Sequence, residues 1–253
     1  LEDDVIEASE SPWPSPLVPV KKKDGKTRWA VDYCRLNKVT VADSYPTPRI
    51  ADVLEALGGS QVFSALDAVQ AYHALPVQQS SKPLTAFVTK WGLFQFRRMP
   101  FGLKNAGAAY CRLVQKLVDE VGMEGVLAYL DDILVHTASP EEHINLLDLV
   151  FQAHQRLGIV LKAKKTELFR SEVNYLGFRV SGQGVDMIPE YVKKIKDWPS
   201  PLTTKSLALA LGFFSYYASF VTEFALCCVS LVKDEGPWAN LGPLVQVFLH
   251  SSA

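Results

Sequence analysis

The order of apolar and polar residues in the central part of the chain predicts alternating strands and helices. Strand-forming apolar residues fill 61–67, 126–135 and 173–180, whereas apolar residues recur at helical spacing over 106–121 and 139–157. The run at 126–135 reads VLAYLDDILV, which is typical of a hairpin. This alternation predicts an α+β fold in which helices pack on one face of a small antiparallel sheet and leave the other face open.

Both central helices have an apolar face and recognisable ends. Gly122 ends the first, and Ser139, Pro140 and Glu142 supply a capping signal at the start of the second. The predicted inner faces are Tyr110, Leu113, Leu117 and Val121 in the first helix, and Ile144, Leu147, Val150 or Phe151, His154 and Leu157 in the second. Because His154 falls on this apolar face, we interpret it as a packed core residue rather than a metal ligand.

Outside this centre the pattern predicts a hairpin, two short helices, a long apolar helix and an irregular tail. In chain order these are the hairpin at 16–33 with its turn at Asp24-Gly25, helices at 48–57 and 189–198, the apolar helix at 204–220 and the tail at 226–253.

Composition is that of a globular protein, and its charge distribution keeps nucleic acid among the candidate partners. The 253 residues are 48% hydrophobic, but no apolar run approaches the roughly 20 residues that a membrane span requires. Net charge is −1; the first ten residues hold five acidic and no basic side chains, so the other 243 carry +4. Basic clusters at 20–28 and 161–165 suit polyphosphate or a nucleic-acid backbone, and equally suit solvated surface loops.

The cysteines and the first residue bear on where the protein is found. Cys34, Cys111, Cys227 and Cys228 show no metal-ligand spacing, which argues against a zinc site and favours a reducing compartment. The sequence begins at Leu1 without a signal peptide, so we expect an intracellular segment of a longer chain rather than a secreted protein.

Three carboxylates carry the candidate chemistry. Asp131 and Asp132 are adjacent in the predicted hairpin, and Asp67 ends a predicted strand. Two like charges in a partly buried hairpin are unfavourable unless a cation neutralises them. Oxygen ligands select Mg²⁺ or Mn²⁺, and two such ions about 4 Å apart can support phosphoryl transfer. A polymerase site therefore explains the pair, although aspartates at a turn are also common as simple turn formers.

Several longer stretches make this interpretation specific. Between residues 10 and 225 they read SPWPSPLVPVKKKDGKTRWAVDYCRLNK, SALDAVQAYHALPV, TAFVTKWGLFQFRRMPFGLKNA, YLDDILV and YLGFRVSGQGV followed by KKIKDWPSP. In this order and spacing they resemble the reverse transcriptase of long-terminal-repeat retroelements, in particular the Ty3/gypsy group. The resemblance implies a right-hand polymerase fold with fingers at 1–40 and 77–100, palm at 41–76 and 101–188, and a partial thumb or connection at 189–253.

The resemblance assigns the catalytic, metal-binding role to Asp67, Asp131 and Asp132. It implies Asp67 and Asp131 as ligands of two Mg²⁺ or Mn²⁺ ions, with Asp132 less directly engaged. The residues that it assigns to dNTP binding are Lys22, Arg28, Tyr72, Phe101 and Lys165. Leu176 and Gly177 correspond to the primer grip.

Three of the nucleotide-binding residues receive more specific roles from the same resemblance. Tyr72 would exclude a ribose 2′-hydroxyl, and Phe101 would lie beside the nascent base pair. Lys165 would donate a proton to pyrophosphate or contact a phosphate.

The resemblance also implies an activity and a set of partners. The activity is RNA-directed DNA polymerisation, in which dNTPs are added to a primer 3′-hydroxyl on an RNA or DNA template. The partners are the template-primer, dNTPs and the remainder of a pol polyprotein with ribonuclease H, integrase and protease. We expect ribonuclease H to lie outside this segment. The expected location is the cytoplasm or a virus-like particle, without membrane attachment.

Two alternatives remain open at this stage. Gly107, Ala109 and Cys111 in KNAGAAYC depart from the family's usual residues, as do Ala71 and Thr166, so a decayed or domesticated protein that binds nucleic acid without turnover is one alternative. The other is an RNA-dependent RNA polymerase, which also uses paired aspartates. Tyr72 argues against it, because a ring under the sugar disfavours ribonucleotides.

Overall fold

The computed structural model describes residues 4–21, 25, 27–46, 48–69, 71–122, 124–199 and 203–218. The chain divides into two compact units, Leu1–Val173 and Asn174–Ala253. The predicted turn residue Asp24, the end of the helix predicted at 204–220 and the tail predicted at 226–253 lie outside the described residues.

Strands and helices alternate along the described part of the chain. The strands are β1 (Ile6–Ala8), β2 (Leu17–Lys21), β3 (Thr27–Val31), β4 (Val62–Asp67), β5 (Phe87–Thr89), β6 (Gly92–Phe96), β7 (Val126–Tyr129), β8 (Asp132–Thr137), β9 (Glu167–Arg170), β10 (Glu172–Tyr175), β11 (Phe178–Ser181) and β12 (Gly184–Met187). The α-helices are α1 (Cys34–Val39), α2 (Ile50–Glu55), α3 (Ala106–Val121), α4 (Pro140–Leu157), α5 (Pro189–Lys196) and α6 (Thr204–Ser215), and 3₁₀ turns span Ala71–Ala74 and Gln79–Thr85.

The first unit is built around a four-stranded antiparallel sheet in the order β7-β8-β4-β9. Helices α3 and α4 pack against each other and against this sheet, as the alternation of strands and helices predicts. The sequence prediction that 173–180 supplies the last strand of this sheet is wrong, because β9 pairs with β4 instead. All four residues of β9 are exposed, so this edge strand lacks the apolar alternation that would reveal it.

The core of the first unit lies between the sheet and the two helices. Its fully buried side chains come from α3, β8 and α4, and include Tyr110, Leu117, Ile133, Val135 and Val150. Burying an aliphatic or aromatic side chain of this size contributes about 1.5–3 kcal/mol relative to leaving it exposed. This packing fixes β4 and β8, the two strands that carry the aspartates.

Helix α4 begins as predicted, and its inward face differs from the predicted one only at the first position. The Ser139 hydroxyl accepts a hydrogen bond from the backbone N–H of Glu142 and caps the helix. Leu147 and Val150 are buried as predicted, and Phe151, the alternative to Val150, is 38% exposed. Ile144 is 58% exposed, whereas the neighbouring His143 is fully buried. The inward face therefore starts one residue earlier than the apolar pattern indicates, because a histidine occupies a core position. His154 is buried as predicted.

Two smaller sheets belong to the same unit. The predicted hairpin at 16–33 is formed by β2 and β3, with Leu17 opposite Val31. The other sheet has the order β1-β6-β5, so the chain's acidic beginning adds a strand to it. Glu7 in β1 accepts a hydrogen bond from Gln95 in β6 and forms an ion pair with Lys82. These contacts hold the first strand in place.

The second unit contains a small sheet, β10-β11-β12, and helices α5 and α6. The single strand predicted at 173–180 is instead two strands joined by Leu176-Gly177, whose φ angles are 49° and 78°. Positive φ at both turn residues is typical of a tight two-residue hairpin. Aromatic side chains of α5 and of the segment that follows α6 pack together, with the Tyr191 and Tyr217 rings 5.9 Å apart.

None of the helices in the described part of the chain has the length and apolar character needed to cross a bilayer.

Candidate active site

Asp67 and Asp132 occupy matching positions on neighbouring strands. Asp67 is the last residue of β4 and Asp132 the first of β8, and they are antiparallel partners in register. Partners in register point to the same face of a sheet, and like charges placed so are mutually destabilising. The end of the sheet therefore gathers negative charge from residues 65 positions apart in sequence.

Asp131 lies in the two-residue turn between β7 and β8. The preceding residue, Leu130, has a φ of 50°, a left-handed conformation that costs energy for a non-glycine residue. The Oδ1 atom of Asp131 is buried and has no hydrogen-bond partner in the described part of the chain. A buried carboxylate oxygen without a donor is unfavourable, and a cation would relieve it.

The three carboxylates differ in their affinity for protons. Desolvation, followed by the charges of Asp132 and Asp67, raises the pKa of Asp131 above its usual value. Partial desolvation and Asp67 likewise raise the pKa of Asp132. Desolvation also acts on Asp67, but hydrogen bonds from Lys162 and Lys165 outweigh it and lower the pKa of that carboxyl. Asp67 is therefore the most firmly ionised of the three.

Two lysines from the segment between α4 and β9 hold the side chain of Asp67. The Lys162 ammonium donates to Oδ1 over 2.8 Å and the Lys165 ammonium to Oδ2 over 3.0 Å. Lys162 also donates from its ammonium to the carbonyl of Ala68 and from its backbone N–H to the carbonyl of Asp67. Sequence reasoning noted the basic cluster at 161–165 but missed Lys162, because spacing alone does not reveal which lysine faces a carboxylate 95 residues away.

The structure brings Tyr72 and Phe101 together beside this carboxylate cluster. Their ring centroids are 5.1 Å apart in an edge-to-face arrangement, and Tyr72 makes a similar contact with Tyr110 at 5.6 Å. Desolvation, then the charge of Asp131, raises the pKa of Tyr72. The Tyr110 hydroxyl is buried without a hydrogen-bond partner in the described residues. Desolvation, followed by the charge of Asp131, raises the pKa of this hydroxyl.

A buried chain of hydrogen bonds behind the sheet supports β4. The backbone N–H of Phe169 donates to the hydroxyl of Ser64, and this hydroxyl contacts Nε2 of His143 at 2.7 Å. On the other side of the ring, Nδ1 lies 2.9 Å from the hydroxyl of Thr137, which donates to the carbonyl of Ser139. The chain is complete when His143 is neutral and carries its proton on Nδ1. Sequence reasoning missed His143 because the adjacent apolar residue, Ile144, fits the same helical spacing.

Not every predicted site residue can be compared with this cluster. Lys22 and the side chain of Arg28 lie outside the described part of the chain, although the backbone of Arg28 belongs to strand β3. Leu176 and Gly177, the predicted primer grip, form the β10–β11 turn of the second unit. A Cβ added to Gly177 would lie 3.5 Å from the Tyr216 ring and 3.5 Å from the Tyr217 hydroxyl, and its φ of 78° favours glycine.

The carboxylates suit a divalent cation chemically but are not gathered into a ready-made site. In the described part of the chain, no group of three or more His, Cys, Asp or Glu side chains is arranged to hold a metal ion. Asp131 offers a buried oxygen without a donor, and carboxylate oxygens are the ligands that Mg²⁺ and Mn²⁺ prefer. Both oxygens of Asp67 are engaged by lysine ammonium groups.

Known retroelement proteins are similar to this chain over most of its length. Residues 20–180 match the family described as reverse transcriptase (RNA-dependent DNA polymerase). The Retrovirus-related Pol polyprotein from transposon opus of Drosophila melanogaster is 34% identical over 95% of this chain and 25% of the relative. The corresponding polyprotein from transposon gypsy of the same organism is 32% identical over 89% of this chain and 22% of the relative. The chain therefore spans a quarter or less of these relatives.

Solved structures show the same fold. The foamy viral protease-reverse transcriptase dRH in complex with double-stranded DNA has a TM-score of 0.84 and 29% identity, covering 100% of this chain and 45% of that one. The foamy viral protease-reverse transcriptase with an RNA/DNA hybrid has a TM-score of 0.78 and 27% identity, covering 98% and 34%. The α+β polymerase fold expected from the sequence is thereby confirmed, and the chain belongs to the reverse transcriptase family, with gypsy-type retroelement polyproteins among its relatives.

Proposed function

We propose that this chain is an RNA-directed DNA polymerase that adds dNTPs to a primer 3′-hydroxyl on an RNA or DNA template. The observation that carries the proposal is the register pair of Asp67 and Asp132, with Asp131 in the adjoining turn and one of its oxygens buried without a donor. Because the chain belongs to the reverse transcriptase family, we assign nucleotide addition to this cluster.

In this proposal Asp67 and Asp131 hold two Mg²⁺ or Mn²⁺ ions, and Asp132 contributes less directly. When bound, the ions lower the pKa of the primer hydroxyl and stabilise the charge that develops on the phosphates. The protein's own contribution is to hold the carboxylates ionised and rigid. The lysine pair on Asp67 and the packed core behind β4 and β8 support both tasks.

The remaining residues bind and select the nucleotide. Lys22 and Arg28 would contact the triphosphate, since a lysine and a planar guanidinium suit that charge. Tyr72 would exclude the ribose 2′-hydroxyl, and its edge-to-face contact with Phe101 limits how far its ring can turn. Lys165 would reach the departing pyrophosphate, because its side chain is 64% exposed and makes one contact with Asp67.

The partners follow from the same proposal. Leu176 and Gly177 would approach the primer backbone through their tight turn. Residues 1–40 and 77–100 would form the fingers, 41–76 and 101–188 the palm, and 189–253 part of a thumb. The similar foamy viral structures contain double-stranded DNA and an RNA/DNA hybrid, and we propose the same ligands here. The remaining parts of a pol polyprotein and a cytoplasmic location belong to the proposal as well.

Primer extension tests the proposal. The full chain is incubated with a labelled DNA primer on an RNA template, all four dNTPs and Mg²⁺ or Mn²⁺, beside an Asp131→Asn control. We expect extension by the wild-type chain and a loss of at least about 100-fold in the control, because the variant removes a metal ligand. Template binding by wild type without extension, or equal extension by both proteins, would instead favour a nucleic-acid-binding protein without turnover.

A further inference from the structure

We infer that Lys162 is a built-in competitor of the divalent cation at Asp67. Its ammonium partly neutralises the cluster in the absence of metal and competes with a cation for Oδ1 of Asp67. This inference rests on the proposed function, since it takes Asp67 and Asp131 as metal ligands.

The contacts of Lys162 are those of a positioned group rather than a loose surface lysine. Its ammonium donates to Oδ1 of Asp67 over 2.8 Å and to the Ala68 carbonyl over 3.3 Å. Its backbone N–H donates to the Asp67 carbonyl over 2.8 Å. A bridge between Ala68 and Leu161 aligns the two segments directly beside these contacts. These backbone contacts therefore position the Lys162 ammonium at the end of β4.

The charge of Lys162 acts on more than Asp67. It lowers the pKa of Asp131, opposing the larger effects of desolvation and of the other two carboxylates. Lys162 therefore interacts with both of the carboxylates assigned to the metal ions. A positive charge in this position partly substitutes for a metal ion, because it offsets the repulsion among the three aspartates.

Lys165 interacts less extensively than Lys162 with the same carboxylate. It bonds only Oδ2 of Asp67, and its side chain is 64% exposed, against 40% for Lys162. Together the two lysines engage both oxygens of Asp67. Metal entry is thus an exchange of an ammonium for a divalent cation.

Lys162→Met isolates this competition, since methionine keeps the length of the side chain and removes its charge. Lys164→Met is the matched control: it removes the same charge from the same segment, and Lys164 makes no hydrogen bond to Asp67 in the described part of the chain. Asp131→Asn reports whether the metal site is where the proposed function puts it.

The measurement is a Mn²⁺ titration of each folded full-length variant without nucleotide, with free Mn²⁺ followed by electron paramagnetic resonance. We expect Lys162→Met to bind Mn²⁺ about tenfold more tightly than wild type, a change of about 1.4 kcal/mol, and Lys165→Met to show a smaller gain. Lys164→Met should match wild type. In EDTA, Lys162→Met should melt at a lower temperature than wild type and gain more from added Mn²⁺.

Two failures are distinguishable. Unchanged or weaker Mn²⁺ binding by Lys162→Met would overturn the inference, because a purely structural lysine lowers the melting temperature without tightening metal binding. Mn²⁺ binding by Asp131→Asn that equals wild type would instead contradict the proposed metal site. If Lys162→Met does not fold, Lys162→Gln removes the charge but keeps a hydrogen-bond donor for Asp67, and the same tightening is expected.

Discussion

His136 and Ser60 form a buried hydrogen bond of 2.8 Å, between Nδ1 of the ring and the serine hydroxyl. The bond joins β8 to the residue two positions before β4. Desolvation, followed by the nearby His143, lowers the pKa of His136 to about 4. The folded protein therefore holds this ring neutral across the range in which an exposed histidine becomes charged.

This lowered pKa predicts a loss of stability in mild acid. Between pH 6.5 and about 4 the unfolded chain binds a proton at His136 that the folded chain does not. The contribution of the neutral His136 ring to stability is therefore fully present above pH 6.5. It falls by about 1.4 kcal/mol per pH unit as the pH decreases through this window. Urea unfolding at several pH values should show a shallower decline for His136→Gln than for wild type. Parallel declines would refute the assignment.

Asp131→Asn should stabilise the metal-free protein while abolishing activity. Asparagine resembles the protonated carboxyl, and the pKa of Asp131 is raised above 3.8 in the folded state. The wild-type chain therefore loses stability as the pH rises through that elevated pKa, whereas the variant does not. We expect a gain of about 1 kcal/mol at neutral pH that disappears as the pH falls through the elevated pKa of Asp131 towards 3.8, measured by unfolding in EDTA. A variant less stable than wild type at pH 7 would contradict this result.

Tyr72→Val should admit ribonucleotides. Valine removes the ring that would meet a 2′-hydroxyl, whereas Tyr72→Phe keeps the ring and its contacts with Phe101 and Tyr110. Single-nucleotide incorporation of a dNTP and the matching rNTP should show a loss of discrimination of about 10-fold or more for valine, and little change for phenylalanine. If both variants keep the wild-type preference, Tyr72 does not select the sugar.

Gly125→Ala should unfold or strongly destabilise the first unit. Gly125 has a φ of 87°, and an added Cβ would lie 2.6 Å from the Leu146 side chain and 2.8 Å from the backbone carbonyl of His136. Since the carbonyl cannot move without disturbing β8, we expect a loss of about 3 kcal/mol or more in chemical unfolding.

Gly107→Ala is the matched control for that substitution. Gly107 lies in the first turn of α3, and an added Cβ there meets no atom within 4 Å. Because alanine favours the helix, we expect a gain of about 0.5–1 kcal/mol. A similar loss in both variants would show that the contacts around Gly125 are not responsible.

Sequence reasoning succeeded where apolar periodicity and end signals are strong. It located β4, the β7–β8 hairpin and the starts of α3 and α4, because each combines a clear pattern with a glycine, proline or capping residue. It missed β9 because that strand is exposed on an edge, and it read β10 and β11 as one strand because Leu176-Gly177 interrupts their apolar residues only briefly.

The site was only partly predictable for a different reason. Three aspartates could be identified because motif and resemblance point to them, and β4 and β8 bring two of them into register. The partners of Asp67 could not be identified, since Lys162 and Lys165 reach it through tertiary packing. The first position of the inward face of α4 was missed for a similar reason: His143 is tolerated in the core only because Ser64 and Thr137 satisfy both ring nitrogens.

The left-handed backbone at Leu130 makes the position of Asp131 depend on the integrity of the whole hairpin. An isolated strand would relax that residue to an ordinary conformation and swing the carboxylate away from its neighbours. The ladder between β7 and β8 opposes this relaxation. Any loosening of the ladder would therefore scatter the acidic cluster well before the helices behind it come apart, so loss of function should precede global unfolding.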